Sequence, residues 1–183
     1  MRIGIDISQV VYEGTGVARY VREFVTVLAK LGRNHEFVLF GSSLRKHEVL
    51  ESFVAEITKN HTNFSAKLFR FPPSLLDIVW NRLHIFPIEW LIGSVDVFWS
   101  SDWMQPPLAK AFGITTIHDL AFKRYPETFH RQIIEVQARR LACAKKECLL
   151  YLCDSLATKN DAHVFLGIPV EKLMVVYPGF SYI

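Results

Sequence analysis

MRIGIDISQVVYEGTGVARYVREFVTVLAKLG, residues 1–32, carries two hydrophobic periods separated by a glycine loop. Ile3, Ile5 and Ile7 form a β-branched run closed by polar residues, which predicts a strand over 2–8. Beyond the loop at 9–15, Val17, Tyr20, Val21, Phe24, Leu28 and Leu31 recur at helical spacing. They make one apolar stripe, with Arg19 and Glu23 on the other side and Gly32 as a C′ stop. A strand, a glycine loop and an amphipathic helix are the opening of a βαβ unit.

The alternation continues outward from that stretch. Apolar runs predict further strands over 36–40, 67–71, 95–99, 114–117, 148–153 and 174–177. Helices are expected over 44–57, 73–86 (broken or kinked at Pro87), 129–146 and from Ser155 to near Gly167, with Ser155 as N-cap. Strands alternating with helices imply a parallel sheet, and continuously apolar strands imply a sheet covered on both faces. The expected fold is α/β: a Rossmann-like three-layer αβα domain with a mostly parallel sheet of about seven strands.

Composition narrows the class. The 183 residues fit one domain, since domains run roughly 100 to 200 residues. Half the chain is hydrophobic, enough for a large core, and 21 basic against 18 acidic residues leave a net charge of +3. The basic residues form no runs longer than pairs such as Arg139-Arg140 and Lys145-Lys146, so nucleic acid is not an expected partner. Cys143, Cys148 and Cys153 lack CxxC spacing and read as reduced, buried thiols rather than metal ligands. MRIGIDIS is not a signal peptide, and no run approaches the roughly 20 apolar residues of a membrane span. The expected location is cytoplasmic, with a peripheral contact to the inner face of the membrane left open. His35, His47 and His61 read as solvated, and Trp80, Trp90, Trp99 and Trp103 as core or domain-interface residues. The segment 75–92 reads either as an ordinary helix on the sheet, the preferred reading, or as an amphipathic helix on a membrane surface.

In a doubly wound sheet, ligands bind beyond the carboxyl ends of the strands. That directs attention to the loops 9–15, 41–43, 100–104, 118–125 and 154–155. The first continues as GTGVARYV, 14–21, where free N–H groups and a helix dipole can receive an anion. Gly14 and Gly16 also fit a purely structural turn. The dinucleotide fingerprint fails, because Arg19 takes its third glycine position and no acidic residue closes the second strand. A P-loop fails for want of Gly-Lys-Ser/Thr. The second loop is TIHDLAF, 116–122, continuing as KRYPETF to Phe129. His118 at a strand end can hydrogen-bond a sugar hydroxyl or polarise a reacting group, with a carboxylate to orient it. His118 and Asp119 also fit simple caps of the strand end and the next turn.

Taken in order, MRIGIDIS, GTGVARYV, TIHDLAFKRYPETF, LCDSLATKND and LGIPVEKLMVVYPG resemble the N-terminal domain of the family 4 retaining glycosyltransferases, mannosyltransferase-like members in particular. The resemblance spans nearly the whole chain; His-Asp-Leu and Val-Tyr-Pro-Gly are its sharpest parts. It implies one half of a GT-B architecture, in which 1–183 is the acceptor-side domain and a C-terminal domain holds the nucleotide-sugar donor. It implies transfer of a hexose with retention, from a GDP-, UDP- or dTDP-sugar, to a glycan or lipid-linked acceptor, as in polysaccharide biosynthesis. No cofactor and no metal are implied. His118 and Asp119 would be the catalytic residues, Gly14, Thr15 and Gly16 would meet the donor diphosphate, Arg19, Arg124 and Tyr125 would meet the acceptor, and Ser155 would cap its helix. The chain alone is expected to be inactive, its donor half being supplied in cis or in trans. Phe180-Ser181 and Leu156-Ala157 depart from the family's usual residues. The alternative is a non-catalytic module that binds a glycan, an acceptor or a partner. A dehydrogenase-type nucleotide domain is disfavoured by the failed fingerprint.

Overall fold

The computed structural model of the chain describes residues 1–100 and 102–179; Phe180 and Ser181, with their departure from the family pattern, lie outside them. Seven parallel strands form one sheet in the order β3-β2-β1-β4-β5-β6-β7. They are β1 (Arg2–Asp6), β2 (Glu36–Ser42), β3 (Phe64–Phe69), β4 (Val97–Ser100), β5 (Phe112–Ile117), β6 (Cys148–Cys153) and β7 (Leu173–Val175). Helices α1 (Gly16–Leu31) and α2 (His47–Asn60) cover one face. The other face is covered by α3 (Pro73–Leu76), α4 (Glu89–Ile92), α5 (Ala121–Arg124), α6 (Arg131–Glu147) and α7 (Leu156–Leu166). The fold is the Rossmann-like three-layer α/β arrangement.

The period of two explains why the strands are apolar throughout. Ile5, Ile7, Phe37 and Leu39 enter the core under α1 and α2, while Val38, Phe40 and Phe98 enter the opposite core with Trp80 and Ile92. The three cysteines are free and buried. Among the described residues, no helix is long and apolar enough to cross a membrane.

Three expectations are corrected. The 73–86 helix runs α-helically only to Leu76, continues as a π-helical turn over Asp77–Arg82 and then leaves the helix. Asn81 donates to Asp77 Oδ1 at 3.1 Å and to the Trp103 carbonyl at 2.9 Å, and these partners hold the wider turn. His47 is buried as the first residue of α2, not solvated. Of the tryptophans read as core or domain-interface residues, Trp80 and Trp99 are in the core and Trp90 is exposed, which leaves its interface reading standing. Gly32 ends α1 at an ordinary negative φ of −87°. Its requirement is space: a Cβ there would lie 2.6 Å from the Phe37 ring and 2.8 Å from the Leu28 carbonyl oxygen.

Candidate functional site

The sheet order reverses beside β1: β2 and β3 follow on one side, β4 to β7 on the other. At that switch point the carboxyl ends of adjacent strands diverge and leave a crevice. A cavity of about 510 Å³ occupies it, lined by Ser8, Gln9 and Tyr12 after β1, Thr15 at the start of α1, Ser42 of β2, and Asp102 and Trp103 after β4. Thr15 is the N-cap of α1: its Oγ1 accepts from the Ala18 amide at 3.2 Å and donates to the Tyr12 carbonyl at 2.8 Å. Gly14, at a φ of +84°, makes the turn that brings the chain into the helix. The first amides of α1, Gly16 and Val17, have no preceding turn to bond and are available to an anion.

A buried cation underlies the Asp102 side of the cavity. Arg140 of α6 is 1% exposed. It donates to Thr115 Oγ1 and, at 3.2 Å, to the Thr116 carbonyl. Burial holds its pKa below the usual guanidinium value, against the opposing charge of Asp102. Gln137, on the same helix, donates to the Asp102 carbonyl at 3.3 Å. The loop after β4 is therefore tied to α6 by a charge and a hydrogen bond.

His118 follows β5 directly, and its Nδ1 lies 2.7 Å from Asp154 Oδ2. The pairing is dictated by register: Ile117 is opposite Cys153, so the residues after them stand side by side. A carboxylate only accepts, so Nδ1 carries a proton, and in the neutral ring Nε2 keeps its lone pair. Among the described residues Nε2 has no hydrogen-bond partner. The Tyr20 ring of α1 meets the imidazole edge-on, 4.8 Å between centroids at 85°. Phe24 stacks on Tyr20 at 5.9 Å and meets Trp99 at 4.7 Å. This aromatic ladder fixes α1 against the end of β5. Among the described residues the Tyr20 hydroxyl, enclosed near Thr116, has no partner in hydrogen-bonding geometry, and burial raises its pKa. From below, Thr158 Oγ1 donates to the His118 carbonyl at 3.1 Å, and Ser155 Oγ caps α7 by accepting from the Thr158 amide at 3.0 Å.

A second groove, about 520 Å³, runs along α1 and includes Gly16, Arg19, Tyr20, Val176 and Tyr177. Tyr20 thus connects this groove to His118. The exposed Asp119 accepts from the Ala121 amide at 2.9 Å and shapes the turn into α5; it does not orient the imidazole. Arg124 pairs with Asp161 of α7 and lies over the Phe165 ring, which raises its pKa through Asp161. Neither Arg124 nor the exposed Tyr125 lines the crevice cavity or the α1 groove. The structure thus gathers Gly14, Thr15, Gly16, Arg19, His118 and Ser155 around α1 and the ends of β5 and β6. It adds Tyr20 and, from the loops 100–104 and 154–155, Asp102 and Asp154, to none of which the sequence reading gave a role in the site. The available signal for Asp154 was its position, first after a buried strand, like that of His118.

The chain matches no protein-family model, and no curated protein matches it.

Proposed function

We propose that this chain is the acceptor-side domain of a retaining, GT-B-type glycosyltransferase that uses a sugar nucleotide. The observation that carries the reading is the His118–Asp154 pair at the carboxyl edge of the sheet, packed on Tyr20 of α1. In this reading the donor diphosphate meets the Gly14–Gly16 turn, where helix amides stabilise the charge that develops as the sugar leaves. Nε2 of His118 accepts from a hydroxyl of the donor sugar, and Asp154 holds the ring's tautomer and orientation. The acceptor lies in the 510 Å³ cavity, with Trp103 and Tyr12 against its apolar faces and Gln9 and Asp102 for its hydroxyls. A C-terminal donor-binding half closes the cleft and excludes water.

The test is transfer from a panel of GDP-, UDP- and dTDP-sugars by the chain joined to a matching C-terminal donor-binding domain. Product with the anomeric configuration of the donor is expected. Saturable acceptor binding with no transfer from any donor would instead support a non-catalytic glycan-binding module. The observation favouring that second reading is that Trp103 and Tyr12 line a cavity that does not include His118.

A further inference from the structure

The cavity at the switch point, about 510 Å³, is within the roughly 300–1,000 Å³ of small-molecule sites. Much of its lining is apolar: Val17, Pro73, Leu76 and Met104, with Tyr12 and Trp103 as aromatic walls. Between them stand polar groups of two kinds. Ser8 Oγ accepts from the Ser42 amide at 3.0 Å, and Ser42 Oγ donates to the Phe71 carbonyl at 3.0 Å, so both serve the fold. The Gln9 side-chain amide, the Tyr12 hydroxyl, the Trp103 indole N–H and the Asp102 carboxylate have no hydrogen-bond partner among the described residues. Gln9 is nonetheless only 7% exposed, and an enclosed amide is satisfied by a polar group that enters the cavity.

Charge is placed as unevenly. Asp102 is the one charged side chain in the lining among the described residues. Its carbonyl accepts from Gln137 of α6 at 3.3 Å, which fixes the backbone there and leaves the carboxylate unengaged. The buried Arg140 is turned to Thr115 and Thr116 and does not line the cavity. Lys46, after β2, is tied to the Val11 carbonyl at 3.2 Å and is also outside the lining. The positive element of the lining is the start of α1, at Thr15 and Val17, and in the reading above the donor diphosphate takes it.

We infer that Asp102 makes this cavity selective for an uncharged saccharide over an anionic one. The inference rests on the proposed function for calling that saccharide the acceptor; the selectivity itself needs only the cavity. A pyranose matches the lining. Its C–H faces lie against Trp103 and Tyr12, and its hydroxyls donate to the Asp102 carboxylate and pair with Gln9. A hydroxyl donating to a carboxylate makes a charge-assisted bond, roughly twice as strong as a neutral one. A uronate or a sugar phosphate brings a second negative charge to the same wall, where no lining side chain among the described residues is cationic. Like charges repel most strongly where the walls exclude water. Asp102 is thus assigned to specificity, and His118 to the reaction.

The test is titration of the 183-residue chain with the methyl glycosides of mannose, glucose and galactose, each against the methyl glycoside of its own uronic acid, read by saturation-transfer NMR at low and high salt. At least one neutral glycoside should bind saturably at low salt and its uronate roughly tenfold more weakly or worse, the gap narrowing in high salt. In Asp102→Asn, with unchanged circular dichroism, the two should bind within about threefold of each other. An Asp102 that only shaped its loop would not move this ratio. If the variant fails to fold, the wild-type gap and its salt dependence decide alone. No binding of any neutral glycoside, equal binding of the uronate, or a gap retained by Asp102→Asn would overturn the inference. These results are separate from the transfer assay: selective binding without transfer upholds the inference and removes the enzyme, and transfer without selectivity does the reverse.

Discussion

Asp154 decides what His118 can do. With its carboxylate against Nδ1, the neutral imidazole is held in the tautomer that presents a lone pair at Nε2. In Asp154→Ala that constraint is gone, and the Nε2–H tautomer should rise. Nitrogen NMR of His118 reads this directly, and an unchanged tautomer would remove Asp154 from the positioning role. His118 itself was legible in the sequence, because a histidine ending a buried strand is delivered to the crevice. Its partner was not, because it is 36 residues away and only the pairing of β5 with β6 brings the two together. At this scale a second prediction concerns Gly113, where a Cβ would stand 2.5 Å from the Glu147 carbonyl oxygen. Backbone cannot give way as a side-chain tip can, so Gly113→Ala should cost about 1–3 kcal/mol in urea unfolding. A loss below about 0.5 kcal/mol would mean that β5 and the end of α6 adjust freely.

Among the elements, β6 is the one most dependent on staying uncharged. Burial pushes the Cys148 thiol up to about 12 and the Cys153 thiol up to about 11, and raises Tyr151, whose hydroxyl donates to the Ala144 carbonyl. An unfolded thiol titrates near 8.5. Above that pH the unfolded chain gives up protons that the folded chain retains, so stability falls as pH rises. The contribution should be intact below about pH 8.5 and lost progressively toward 11–12. Urea midpoints at pH 7.5 and 10 should show the fall, and Cys148→Ala/Cys153→Ala should flatten it. The native thiols should also resist alkylation at pH 8.

Element by element, the sequence was informative where one period ran unbroken. Helix α1 and the apolar run of β6 stand where their patterns put them, but the buried line of α1 is Ala18, Val21, Val25 and Ala29, and Leu31 of the expected stripe is exposed. Ends moved where pairing decides: Gly41 and Ser42, which read as a loop, pair with Leu68 and Phe69 and extend β2. The 73–86 helix failed because its course depends on Asn81 meeting the Trp103 carbonyl and His84 meeting Glu147, groups distant in sequence that periodicity does not record.

For the molecule as a whole, the class followed from alternation, but the strand order did not, and the order makes the site. Only with β1 between β2 and β4 do the loops after β1 and β4 enclose the crevice, and only with β5 beside β6 does His118 gain its carboxylate. Arg140 is the clearest case of a residue that the sequence disguises. It reads as half of a surface basic pair, yet it is buried against Thr115 and Thr116 under the loop that carries Asp102. The residues proposed for the acceptor divide in the same way. Arg19 lines the α1 groove, whereas Arg124 is turned onto α7 by Asp161.

The central claim is that sugar transfer runs at the edge formed by α1 and His118. It is tested most directly by kcat/KM for His118→Ala and Arg124→Ala in the chain joined to its donor-binding half, each with its urea midpoint checked. A loss on the order of 100-fold for His118→Ala, with less than about threefold for Arg124→Ala, is the expected result. Transfer by His118→Ala at the unaltered rate would contradict the account and return His118 to a structural role at the end of β5.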